Sequence, residues 1–436
     1  MKTTLIFIIS LLIPGSGHLL QKRFKGALLG FAIFTLEALA FMMIMLPFFE
    51  LFYVRHVTGD YAGTATIGAL PYVNNSFTIM VSSVIYFFLL LIFLFIHFVF
   101  ARDAQSYAKQ MKELGYAVDT KTKLLEMQAD IVPNLITAPK FIIIFIFTLM
   151  PIIVSLLIAF TNYRRPILPP SFLIEWRGLE NFSNLITNPQ MSSLFTDTLI
   201  WTVVWTFSAS SLAIAIGVIL AVVANGKQIR AKRLFRTIYV LPWAVPAFLT
   251  ILIFRIFFSR IGAMNTMVIP FFTGQPYEVG TAIGFLMDPM LARVTIISIQ
   301  AWLGFPYMFA LTTGVLQAIP DDLYEAGALD GGNAFTNFID ITLPLIFRSI
   351  SPVFIAHFIF NFNNVVILYL LAGSVVREIG ADFGPLETVA SLGFRLMLDA
   401  RFNEAAVFML ITSAVVGVIA VLMWMRTGAF RNEEVM

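Results

Sequence analysis

The chain has 436 residues, of which 59% are hydrophobic and 12% charged, with a formal net charge of +3 and a mean hydropathy of +0.88. A soluble domain of this length needs a far more charged surface, so the composition specifies a polytopic membrane protein, and the small positive charge does not point to nucleic acid. Cys is absent and the four His form no H-x-x-x-H pair, which argues against disulfides, Cys-ligated metals and a His-built metal site.

The chain opens Met1-Lys2 and runs apolar from Leu5 to Pro14. That pattern suits the apolar part of a signal peptide ending near Gly15-Ser16-Gly17. Lys22, Arg23 and Lys25 follow at once, however, and positive charge there resists export. The run is also shorter than the roughly 20 residues a crossing helix needs. The expectation is an interfacial or re-entrant helix.

Eight longer apolar runs follow, at 26–50, 77–101, 141–161, 197–224, 237–258, 291–317, 349–372 and 403–426. Each is long enough to cross a bilayer. Several contain Pro or Gly, which membrane helices tolerate where neighbours satisfy the freed backbone groups. Every Lys falls in the N-terminal 25 residues, the 102–140 loop or the 226–236 loop, and Arg is frequent there too. The excess of basic residues puts those segments, and with them both termini and the 320–344 segment, on the cytoplasmic side. The 102–140 loop carries Lys109, Lys112, Glu113, Lys121, Lys123 and Glu126 and reads as a solvated helix pair. It divides an N-terminal extension (1–140, a short interfacial helix and two spans) from a six-span core (141–436). The loops on the other side, 51–76, 162–196, 259–290 and 373–402, are each short for a folded domain.

Within the span 291–317, Gly304 and Tyr307 lie three residues apart, with Pro306 placed to bend the helix. Periodicity alone makes them packing residues. Along 349–372, His357, Asn361 and Asn364 fall at i, i+4 and i+7 on one helical face, edged by Phe360. Polar side chains in a span pack against other helices or line a cavity. Asn offers donors and an acceptor suited to hydroxyls, and an aromatic ring can stack on a pyranose. Asn363 points away from this face. The ionisable residues Glu37, His97, Arg255 and Arg293 are scattered and form no same-helix pair, and the two Arg are expected to snorkel to the interface.

The 320–344 segment is polar and Gly-broken between two apolar runs. Pro320-Asp321-Asp322 starts a helix, Gly331-Gly332 allows a sharp turn, Asn333 or Thr336 can cap a second short helix, and Pro344 closes the motif. The chain has no G-x-x-x-x-G-K-[ST] phosphate loop, so it is not expected to hydrolyse ATP. It also lacks G-x-S-x-G and H-E-x-x-H.

Glu325, Ala326, Gly331, Ile341, Leu343 and Pro344 stand at the spacing of the EAA loop and resemble that signature of ABC importer membrane subunits. One departure is Gly327, where the pattern usually has Ala. The resemblance extends to Gly178-Leu179-Glu180-Asn181-Phe182, to 236–246, to Trp302–Met308, to Gln317–Glu325 and to Phe360-Asn361-Phe362-Asn363-Asn364. Together these segments are similar to the MalF-type permeases of maltose/maltodextrin ABC importers, over roughly 141–430.

The resemblance implies an all-α polytopic fold with eight transmembrane helices, six forming the type I importer core. It implies maltodextrin contacts at Gly304, Tyr307, Phe360, Asn361 and Asn364. It implies ATPase coupling through Glu325, Ala326, Gly327, Asp330 and Gly331. The implied partners are a second, MalG-like EAA-loop permease, two ATPase subunits holding ATP and Mg, and an extracellular sugar-binding protein, with no cofactor on this chain. Some members carry a large external insertion that grips the binding protein; here the matching 162–196 loop is short.

Overall fold

The computed structural model describes residues 3–42, 65–67, 70–72, 76–113, 115, 140, 143–168, 174–226, 229–372, 384 and 386–426. Most of the 102–140 loop, the 51–76 loop and the C-terminal tail lie outside the described residues. The chain divides into two compact units, Met1–Asn181 and Phe182–Met436. The first unit thus continues past the boundary at 140 read from the sequence and takes in the 141–161 run.

In the first unit, helices α1 (Thr3–Leu12), α2 (Ser16–Leu20) and α3 (Phe24–Ala40) gather on the long helix α4 (Ser76–Glu113). Three-residue strands β1 (Ala65–Ile67) and β2 (Leu70–Tyr72) pair antiparallel. After a π-helical turn, Phe145–Leu149, comes α5 (Met150–Ile158). The chain reverses after α1 at Gly15, whose φ is +93° and whose added Cβ would lie 2.5 Å from the Ala27 carbonyl oxygen. Only Gly fits both demands. Arg23 bonds Asp103 at 2.7 Å and lies 4.7 Å over the Tyr107 ring.

Glu37 and His97, widely separated in sequence, are paired here. His97 Nδ1 donates to the Leu11 carbonyl at 2.9 Å, and Nε2 meets Glu37 Oε2 at 2.6 Å. The pair ties α3 to α4.

The second unit comprises α6 (Glu180–Thr187, entering from the junction), α7 (Pro189–Asn225), α8 (Lys232–Val240), α9 (Ala247–Phe257), α10 (Ile269–Thr273), α11 (Pro289–Ala318), α12 (Asp321–Leu329), α13 (Ala334–Asn337), α14 (Leu343–Phe362), α15 (Val366–Ala372), α16 (Val389–Leu398) and α17 (Phe402–Arg426). Helices α7 and α11 form its spine. Each starts with Pro at the first turn after a side-chain cap: Asn188 accepts from Gln190 N and Met191 N, and Asp288 accepts from Leu291 N at 2.8 Å. Their contact runs along Ala209, Ala213, Gly217 and Ala221, one small residue per helical turn. A Cβ on Gly217 would lie 2.5 Å from Met308 Cβ, so the backbones approach as closely as small side chains permit.

The run 237–258 is not one straight span. Amphipathic α8 passes through a 3₁₀ turn, Leu241–Ala244, and meets α9 at 87°. Pro246 explains the break: it has no N–H to continue a helix and holds Val245 extended at φ −105°, ψ 132°. The run 349–372 is also interrupted, since α14 ends at Phe362 and α15 resumes at Val366. Among the described residues five helices are long and apolar enough to cross a membrane, six if the bent pair is one span. Apart from the short β1–β2 pair the fold is helical with several apolar spans, as expected; among the described residues five or six of the eight runs form helices long and apolar enough to cross.

Helix α16 is fastened by the Thr388–Ser391 capping box, by an ion pair of Arg395 with the buried Glu387 at 2.5 Å, and by Thr202 Oγ1, which accepts from Val389 N at 2.9 Å. The 320–344 segment folds as a helix–turn–helix. Pro320 precedes α12, Gly331 turns at φ +84°, and Asn333 caps α13 by accepting from Phe335 N and Thr336 N. A π-helical turn, Phe338–Thr342, leads into α14, where Pro344 occupies the first turn.

Candidate functional site

A cavity of about 800 Å³ opens beside α11, bounded by the start of α9 and the α14–α15 break. Gly304, Tyr307, Phe360 and Asn364 line it, as do Gln300, His357, Asn363 and Trp243. Phe360 is 60% exposed, its ring stacked on His357 at 6.4 Å and 17°. Across the cavity Trp243 stacks on Tyr307 at 5.7 Å and 26°, and its Nε1 donates to the Leu303 carbonyl at 3.3 Å. Two aromatic faces therefore border a space edged with neutral amides.

Gly304 sits where α11 crosses α7. A Cβ there would fall 3.0 Å from Ala213 Cβ and 3.3 Å from His357 Nε2. The glycine lets the two helices touch and the His357 ring lie across the gap.

Asn361 stands behind the wall. It is 0% exposed. Its Nδ2 donates to Ser210 Oγ at 2.9 Å and approaches His357 Nε2 at 3.2 Å. Its Oδ1 accepts from Gln300 Nε2 at 2.8 Å, and its carbonyl accepts from Trp205 Nε1 at 3.0 Å. In this conformation its amide holds the lining residues Gln300 and His357 rather than facing the cavity. Asn363 lies on the cavity wall, not away from it, because the helix ends one residue earlier and the i, i+4, i+7 face does not continue. Asn364 is past that helix end as well, and it reaches the same network by donating to Gln300 Oε1 at 3.4 Å.

Gln300 and Trp243 are missed by the sequence reading. Gln300 is one polar residue, a turn before Gly304, in an apolar run; that spacing was its one signal. Trp243 reaches Tyr307 because the segment from α8 through the 3₁₀ turn packs along α11, a tertiary contact that spacing along the chain does not reveal.

The second group, Glu325, Ala326, Gly327, Asp330 and Gly331, clusters on α12 and its turn. All except Gly327 are exposed. A Cβ on Gly327 would lie 2.6 Å from Asn337 Oδ1, which accounts for Gly where the EAA pattern has Ala. Tyr324 and Thr342 share a hydroxyl hydrogen bond of 3.1 Å that closes the hairpin base. Leu329 and Phe335 project into solvent.

Residues 213–429 match the family of binding-protein-dependent transport system inner membrane components. The maltodextrin transport system permease protein MalC of Streptococcus pneumoniae (strain TIGR4) is 34% identical, over 97% of this chain and 96% of its own. The chain belongs to this permease family. The galactooligosaccharides transport system permease protein GanP of Bacillus subtilis (strain 168) is 35% identical to the permease over 97% of each chain. In fold, the permease resembles a chain of a bacterial ABC transporter involved in the import of the acidic polysaccharide alginate. The TM-score is 0.57 at 19% identity, covering 70% of this chain and 98% of the other. The permease is thus a membrane-embedded transport subunit and not an enzyme.

Proposed function

We propose that this permease passes a neutral oligosaccharide, maltodextrin first, through the cavity beside α11 by alternating access. The observation that carries this is the lining: among the described residues it offers amides, an imidazole and aromatic faces, with no Lys, Arg, Asp or Glu. A phosphorylated ligand would call for cations there. Gly304, Tyr307, Phe360 and Asn364 border the sugar, with Asn361 setting Gln300 and His357 from behind. Resemblance to the maltodextrin permease supports maltodextrin as the first reading. Similar resemblance to the galactooligosaccharide permease keeps galactooligosaccharides as the second reading.

In this reading the chain crosses the plasma membrane eight times with both termini cytoplasmic. It pairs with a MalG-like permease on two ATPase subunits, which bind ATP and Mg. An extracellular binding protein delivers the sugar. The hairpin at Glu325, Ala326, Gly327, Asp330 and Gly331 docks on one ATPase, and the exposed Leu329 and Phe335 suit a cleft. Closure of the ATPases moves the hairpin and turns the cavity outward, and hydrolysis resets it.

Uptake of labelled maltodextrins of graded length, with galactooligosaccharides alongside, in a strain deleted for this chain tests the proposal. Loss of maltodextrin uptake restored by the intact chain is expected. Normal maltodextrin uptake in the deletion strain would refute it.

A further inference from the structure

Arg236 on α8 joins the C-terminal ends of the two spine helices. Its Nη2 donates to Asn225 Oδ1, on the last residue of α7. With the Gln317 amide oxygen turned inward, that oxygen accepts from Arg236 Nη2 and Nη1 at 2.9 and 3.1 Å. Asn225 Nδ2 donates in turn to Thr313 Oγ1 of α11 at 3.2 Å, and Lys232 Nζ donates to the Asn225 carbonyl at 3.0 Å. Two cations therefore sit where helix ends leave carbonyls and partial negative charge.

The position matters because of what lies at either end. Gln317 precedes Ala318, the last residue of α11, and Pro320 then begins the α12 hairpin. Further along, Tyr239 of α8 meets Phe309 of α11 edge-on at 5.3 Å. Beyond it the 3₁₀ turn carries Trp243 against Tyr307 and Leu303. The segment from α8 through the 3₁₀ turn is thus fixed to α11 at three levels, from the base of the hairpin to the cavity wall. The 87° bend comes immediately after it.

We propose that Arg236 is a positioning residue for transport. It makes α8, the 3₁₀ turn and α11 move as one body with the α12 hairpin, so that a displacement at the hairpin reaches the Trp243–Tyr307 wall. The bend at Pro246 absorbs the rotation. This rests on the reading that the hairpin takes its motion from an ATPase.

The test uses the complete importer in proteoliposomes, reading sugar imported and ATP hydrolysed together. Arg236→Gln is expected to raise ATP spent per sugar by about tenfold, within the range of a coupling free energy between sites. Arg236→Lys is expected to recover part of the loss, because it keeps the cation without the planar fork. The natural chain has no Cys, so Arg236→Cys with Gln317→Cys gives this chain a single thiol pair. Bridging that pair with a short bifunctional linker is expected to restore the ratio lost in the reduced form. A wild-type ratio in Arg236→Gln would overturn the proposal. So would a bridged pair that blocks import while its reduced form imports normally, since the contact would then have to open in each cycle. A wild-type complex that shows no ATP-driven import would instead sink the functional reading itself.

Discussion

Gln300 donates from Nε2 to the Asn361 amide oxygen at 2.8 Å, so a residue on the cavity wall is held by one that never reaches it. Both are nearly fully buried. Removing either leaves a polar atom without its partner, which costs about 1–3 kcal/mol. Asn361→Ala is therefore expected to lower import and also the thermal unfolding temperature of the purified protein. An unchanged unfolding temperature with import lost would mean that Asn361 turns to the sugar directly.

Phe360→Ala should behave differently. The ring is mostly exposed, so its loss is expected to change stability by no more than about 0.5 kcal/mol while sugar import falls. Uptake of labelled maltotriose, normalised to the amount of permease in the membrane, separates the two effects.

Gly304→Ala adds a methyl group 3.0 Å from Ala213 Cβ and 3.3 Å from the His357 ring. Overpacking at such a contact costs about 1–3 kcal/mol. Pushing α7 from α11 also displaces His357 from the cavity edge. Import and unfolding temperature are both expected to drop, and trimming the tightest neighbour, Ala213→Gly, is expected to recover part of the stability.

Gly327→Ala would restore the residue usual in EAA loops, yet here the new Cβ meets Asn337 Oδ1 at 2.6 Å. The single variant is expected to weaken ATPase association, and Gly327→Ala with Asn337→Ala to recover it. A double-mutant cycle on copurified ATPase measures the coupling. Additive losses would show that Gly327 does not depend on Asn337.

Much of this was legible in the sequence, and the gaps have physical causes. The runs 197–224, 291–317 and 403–426 became α7, α11 and α17 because sustained apolarity decides a span. Prolines inside apolar runs are harder to read: Pro306 stays within α11, whereas Pro246 turns its run through 87°. Both prolines lie within apolar runs, so apolarity alone does not separate the two cases. Helical periodicity put Asn361 and His357 on one face but gave no depth, so burial behind Gln300 was hidden. Asn363 and Asn364 fell past a helix end that no Gly or Pro marks. Glu37 and His97 belong to different helices, and their pairing is set by tertiary packing.

Import of maltotriose into proteoliposomes holding the full importer, with ATP hydrolysis followed in the same vesicles, tests the central claim most directly. Wild-type permease should import sugar only with ATP. Phe360→Ala should hydrolyse ATP with little import, and Glu325→Lys should do neither because the ATPase no longer docks. Maltotriose import at the wild-type rate by both variants would contradict the account.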